Sequence, residues 1–204
     1  MTNKNSNWDY NPEGNKMDRV CRRLLCKELI NEKIVGTLDV GDNSLFFKPD
    51  IDLLLVNKYY KLSSLEIKGD AHTEDRFGVR RVYLEYISND GKFLSSNGTE
   101  GRGNVLECRA EFFCFYFIKT DEYLIMQTKK LQEWLTINQG KYQVKTAPTR
   151  GRSGEILYSS YGIIVPTGVL IDEIHAELIT SKYKYKDFEE AYLKEVKDKS
   201  MESN

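Results

Sequence analysis

Apolar side chains along residues 16–33, KMDRVCRRLLCKELINEK, fall at positions 17, 20, 21, 24, 25, 29 and 30. Recurrence close to i, i+3, i+4 gathers them on one stripe, which predicts an amphipathic helix with Arg19, Arg22, Arg23 and Lys27 on its outer face. The period then changes. Residues 51–56 and 64–67 are short runs rich in Leu, Ile and Val, joined by a polar connection containing Tyr59 and Tyr60. That pattern predicts a β-hairpin folded about Tyr60, with largely buried strands. Residues 81–88, RVYLEYIS, are aromatic and β-branched and predict a further strand, closed by the turn signal Asn89-Asp90-Gly91. The run 112–117, FFCFYF, must be core, 123–127 is another buried strand, and 128–135 is a short helix presenting Leu131, Trp134 and Leu135. Residues 155–165 read as one or two strands, and 169–179 and 188–196 as two helices.

The intervening stretches are polar. Residues 1–15 read as an irregular lead-in, 34–49 as a loop with a short strand at 44–47, and 71–80 as a connector. Residues 92–106 read as an exposed Gly/Ser/Asn-rich loop, and 197–204 as a frayed charged tail. With no repeat and no linker, residues 1–204 are expected to form one domain. The element order predicts an α/β sandwich, a mixed β-sheet with flanking helices.

Composition narrows the chemistry. Lys and Arg number 30 and Asp and Glu 31, so no global basic field advertises a nucleic-acid partner, and any such contact must come from a local stripe. Cys21, Cys26, Cys108 and Cys114 form no CxxC pair and no zinc-type spacing, and are expected to be free thiols in a reducing cytosol. No signal peptide and no long apolar run is evident, so a soluble cytoplasmic protein without membrane contact is expected. His72 and His175 stand in no triad setting and no GxSxG occurs, which argues against a Ser or Cys hydrolase.

The charges inside the apolar hairpin are harder to dismiss. An unpaired charge in a low-dielectric interior is costly. Yet Asp50 and Asp52 open one strand, and Glu66 and Lys68 close the other. Alternation at period two puts Glu66 and Lys68 on one face, and folding about Tyr60 brings position 52 opposite 66 to 68. Two carboxylates and an ammonium therefore converge at one end of the hairpin. Crowded carboxylates raise one another's pKa unless a cation neutralises them, and a hard divalent ion accepts such ligands while leaving positions for a phosphate oxygen.

Pro49-Asp50 or Asp52, followed by Glu66-Ile67-Lys68 on the paired strand, resembles the PD-(D/E)XK nuclease superfamily over about residues 45–135. The resemblance implies a restriction-endonuclease-like fold and a Mg²⁺- or Mn²⁺-dependent endonuclease acting on DNA. It implies that Asp52, Glu66 and Glu85, with the carbonyl of Ile67, hold the metal, and that Lys68 positions the attacking water. Asp50 is the alternative first ligand, and His72 could reach the site or a phosphate. A helix before the hairpin sometimes donates an acid in this superfamily, and Glu28 or Glu32 is placed for it, although a solvated helix face suits both. For Glu85 to serve, the strand 81–88 would pair beside 64–68. Glu107 and Glu111 fall where relatives carry a further acid. Residues 141–154, with Lys141, Lys145, Arg150 and Arg152, form the best basic cluster in a Gly-rich loop. Together with Arg80 and Arg81 it would contact the phosphate backbone. A homodimer would cut both strands, whereas a monomer would nick, resect or need a single-stranded or branched substrate. The alternative is a non-catalytic DNA-binding or protein-interaction module of the same fold.

Overall fold

The computed structural model describes residues 12–47, 50–70, 79–88, 103–150 and 155–202. Helix α1, Pro12–Glu28, precedes an antiparallel meander of β1, Ile34–Asp39, β2, Leu53–Asn57, and β3, Leu62–Asp70. Tyr60, with φ 60°, turns the β2–β3 hairpin, whose register sets Leu53 against Leu65 and Val56 against Leu62. A second segment, β4, Arg81–Ile87, leads to a short helix α3, Asn104–Glu107, and then to β5, Phe112–Phe117. After β6, Glu122–Gln127, come helix α4, Thr128–Asn138, a 3₁₀ turn, and the strands β7, Val144–Arg150, and β8, Ile156–Pro166. Helix α5, Thr167–Ile174, strand β9, Glu177–Thr180, and helix α6, Tyr185–Glu202, complete the order.

These strands make two sheets. The larger is mixed, in the order β1-β2-β3-β5-β6-β9, and the smaller is antiparallel, β4-β8-β7. One core lies between α1, α6 and one face of the large sheet, around Leu24, Leu53, Ile67 and Tyr116. The other lies between the opposite face, the small sheet, α4 and α5, around Val82, Phe113, Phe115, Leu131 and Ile163. The architecture is thus mixed α/β with helices flanking a mixed sheet, as the pattern predicts.

Several local expectations are corrected. Residues 44–47 form the helical turn α2, Ser44–Phe47, because Asn43 caps it: its Oδ1 accepts the Leu45 N–H at 3.0 Å. Residues 34–39 are a strand. As the sheet's edge, half-exposed and shifted in register between Ile34 and Gly36, it lacks the apolar alternation of a covered strand. Residues 144–150 are an edge strand, where Pro148 costs no ladder bond facing solvent. The helix expected over 169–179 ends at His175, whose left-handed φ of 58° closes α5 before β9. The tail stays helical to Glu202, supported by the Lys199–Glu195 pair at 2.7 Å. Strand β4 does not pair with β3. That place belongs to β5, parallel to β3, because Phe113–Phe117 are buried on both faces, as a central parallel strand requires. Among the described residues, no helix is long and apolar enough to cross a membrane.

Candidate functional site

The open end of the β2–β3 hairpin is closed by Asp52. Its backbone N–H donates to the Leu65 carbonyl at 2.9 Å, and its Oδ2 accepts the Ile67 N–H at 2.9 Å. Alternation along β3 buries Leu65 and Ile67 under α1 and leaves Glu66 and Lys68 on the other face. There the Lys68 ammonium lies 2.6 Å from Glu66 Oε1, and the charges of Glu66 and Asp52 act on one another. Asp50 enters from the preceding turn with φ 50°, a left-handed conformation that Asp tolerates better than most residues. The convergence expected of Asp52, Glu66 and Lys68 is therefore present in the fold.

Helix α1 adds two residues that sequence patterning did not single out. Asp18 Oδ1 accepts the Gly69 N–H at 3.1 Å. The approach is close: a Cβ at Gly69 would stand 3.4 Å from that oxygen, in ordinary contact, and a slightly tight 3.3 Å from Cys21 Sγ. Arg22, expected on the outer face, is 1% exposed and reaches Asp39 at 3.0 Å, Asp42 at 2.9 Å and Asp52 at 3.4 Å. Four-residue spacing from Asp18 to Arg22 to Cys26 is the signal that could have found them, since it sets both beside the apolar stripe. Asp39 and Asp42 hold Arg22.

Asp18, Gly41, Asp50, Ile51, Asp52, Glu66 and Lys68 line a cavity of about 30 Å³, room for a water or two or an ion. Burial disfavours the charged form of every carboxylate in it. Burial pushes Asp50 up to about 6, with Lys68 opposing and Asp52 adding to the rise. Burial likewise raises Asp52 and Asp18, and holds Glu66 well above the usual carboxylate range, although Lys68 opposes each shift. Lys68 itself is desolvated, which favours the neutral amine, but Glu66, Asp18, Asp50 and Asp52 outweigh this and keep it protonated well above lysine's ordinary range.

A larger cleft of about 480 Å³ adjoins this cavity between the two sheets. Lys68 lines both, and Arg81, Tyr83, Glu85, Asn104 and Phe115 line the cleft alone. Glu85 thus faces the same region from β4 in the small sheet and is felt electrostatically by Asp50 and Lys68. Burial raises it, while Ser160, Lys68, the Asn104 N–H and Ser88 favour its charged form. Glu28 lies elsewhere, accepting from the Ser181 hydroxyl at 3.2 Å and the Lys182 N–H at 3.0 Å. Glu32 is exposed, as is Glu111 just before β5, whose backbone N–H donates to Ser64 Oγ on β3 at 3.0 Å. Glu107 acts on Asp50 through its charge. Arg80 is paired with Glu122 at 2.6 Å, and Lys145 is exposed on β7. Arg150 belongs to β7, whereas His72 and Arg152 lie outside the described residues.

Among the described residues, no three His, Cys, Asp or Glu side chains are grouped closely enough to ligate one ion. The oxygen-only donors still fit Mg²⁺ or Mn²⁺ in kind, because Mg²⁺ is commonly held by one or two carboxylates and keeps its other positions for water and phosphate. Asp52 and Glu66 are such a pair. Comparison of the chain with protein-family models, curated proteins and solved structures finds no match.

Proposed function

We propose that the chain is a metal-dependent phosphodiester hydrolase acting on nucleic acid, most directly an endonuclease on DNA, of the PD-(D/E)XK type with a restriction-endonuclease-like core. The observation that carries this reading is the buried Asp52–Glu66 pair with Lys68 at 2.6 Å, at the end of a hairpin and beside an open cleft. Buried carboxylates with raised pKa values are what a site built for a cation looks like without one. The order of α1, three antiparallel strands and a crossover to β5, parallel to β3, supports the fold assignment.

In this reading Asp52 and Glu66, with the carbonyl of Ile67, would hold a divalent ion, which when bound lowers the pKa of a water and steadies the leaving oxygen, while Asp50 adds negative charge beside them. Asp18 fixes the end of β3 and adds negative charge to the cavity wall. Lys68, which the surrounding carboxylates favour in its protonated form, serves as a cation toward the phosphate and orients the nucleophile by donating hydrogen bonds. Glu85, across the cleft and already hydrogen-bonded, shapes the field on the substrate side more than it ligates. Arg81 in the cleft and Lys145 on β7 supply phosphate contacts, whose affinity falls with salt.

A second reading, a non-catalytic nucleic-acid-binding or protein-interaction module, draws on one observation. Lys68 and Arg22 already partly neutralise Glu66 and Asp52. Cleavage of supercoiled plasmid and labelled single strands in Mg²⁺, Mn²⁺ or EDTA separates the two. The hydrolase reading predicts divalent-dependent cutting that falls at least about a hundredfold in Glu66→Ala and in Lys68→Ala. Binding without cutting, equal in all three proteins, would favour the module.

A further inference from the structure

Strand β4 treats its two faces differently. Leu84 enters the core and Val82, buried in the same core, also borders the 480 Å³ cleft, which Arg81, Tyr83 and Glu85 face. The Tyr83 ring lies against Gly162 on β8, where a Cβ would stand 2.6 Å from Cζ and 2.7 Å from Cε2. Its hydroxyl donates to the Lys145 carbonyl at 3.4 Å. The ring is thus seated on a bare glycine, with only a long contact at its hydroxyl end, so its position is set by packing before any ligand arrives. Phe115 and Ile164 add apolar wall, Asn104 adds an amide side chain, and Lys68 stands where the cleft meets the acidic cavity.

We propose that this cleft takes one unpaired nucleotide, its base on Tyr83 and its phosphate at Lys68, so that the substrate is single-stranded or locally unpaired nucleic acid. This rests on the hydrolase reading above. Three observations carry it. The volume falls within the range that encloses a single small ligand. The wall combines a fixed aromatic face with a few polar groups, the composition of sites that stack bases without a paired partner. The side chains of Glu66 and Asp52 are only 4% and 12% exposed, so the reacting centre is recessed. A duplex carries its phosphates on the outside of a stiff cylinder with bases stacked within. A nucleotide must leave that stack before its base can enter a pocket of this size.

The test measures binding of a short labelled oligothymidine strand and of a hairpin duplex, with Ca²⁺ replacing Mg²⁺, alongside cleavage of both in Mg²⁺. The single strand is expected to bind at least about tenfold more tightly. Tyr83→Leu should lose about tenfold of that affinity, while Tyr83→Phe, which keeps the ring, stays within about twofold of wild type. Thermal melting of each variant confirms that it is folded, and the strand-to-duplex ratio of the wild type needs no variant. Duplex bound as tightly as single strand, or Tyr83→Leu without effect, overturns this inference. Divalent-dependent cleavage lost in Lys68→Ala would then leave the hydrolase reading standing. No binding and no cleavage of either nucleic acid overturns both.

Discussion

Asp50 shows most plainly what burial does to the acidic cavity. Its carboxyl rises from 3.8 to about 6, chiefly because burial disfavours the anion. A carboxyl raised on folding binds its proton more tightly in the native chain than in the unfolded one. Its contribution to stability is therefore full below about pH 4 and is lost as pH rises through about 6. Asp50→Asn should remove that loss, and Asn accepts the left-handed backbone as readily as Asp. The variant is expected to melt higher than wild type at pH 7, with the gap closing toward pH 4.5; a gap that is constant or widens in acid would refute the assignment. Thiols give a second residue-scale expectation. Cys21, Cys108 and Cys114 are buried and burial pushes their thiols up, so a disulfide reagent should reach Cys26 first and the others only on unfolding. At this scale Asp52, Glu66 and Lys68 were legible because strand alternation fixes which side chains share a face. Asp18 and Arg22 were not, because a helical stripe ranks positions by apolarity and hides a polar residue turned inward beside it.

Between elements, Arg22 is the tie. It pins α1 to the Asp39–Asp42 turn and to Asp52 at the mouth of β2, so the helix and the hairpin that carry the cavity share one buried cation. Arg22→Met would leave these carboxylates crowded without it and is expected to cost about 3–5 kcal/mol in urea unfolding. Gly41 is the matching steric constraint. A Cβ there would meet Asp52 Oδ1 at 2.6 Å and Arg22 Cζ at 2.7 Å, so Gly41→Ala should cost about 1–3 kcal/mol in the same measurement. Losses well under 1 kcal/mol in both would mean that the tie carries no strain and little energy. The hairpin was legible as an element because apolar runs and a polar turn are local signals. Its neighbours were not. Strand β4 carries the right residues for a strand, but nothing in RVYLEYI says whether β3 or β8 receives it. Strand β1 hides at an exposed edge, and β9 lies behind a left-handed histidine that reads as helix interior.

Across the whole molecule, two cores share the large sheet, and the acidic cavity and the cleft open where β3 faces the small sheet. The mixed α/β class was legible from the succession of periods; the division into two sheets was not, since it depends on long-range pairing between β4 and β8. That division is what places Glu85, Tyr83 and Arg81 across a gap from Lys68 instead of on a neighbouring strand. A chain with net charge −1 has no overall field to draw in nucleic acid, so on the hydrolase reading the attraction would have to come from a divalent ion and a few local cations. The most direct measurement is calorimetric titration of the metal-free protein with Mn²⁺, repeated on Glu66→Gln and Asp52→Asn. A functional centre at the hairpin end predicts a saturable site in the wild type, weakened at least about tenfold in both variants, with protons released on binding at pH 6. No saturable binding, or binding that neither variant disturbs, would contradict it.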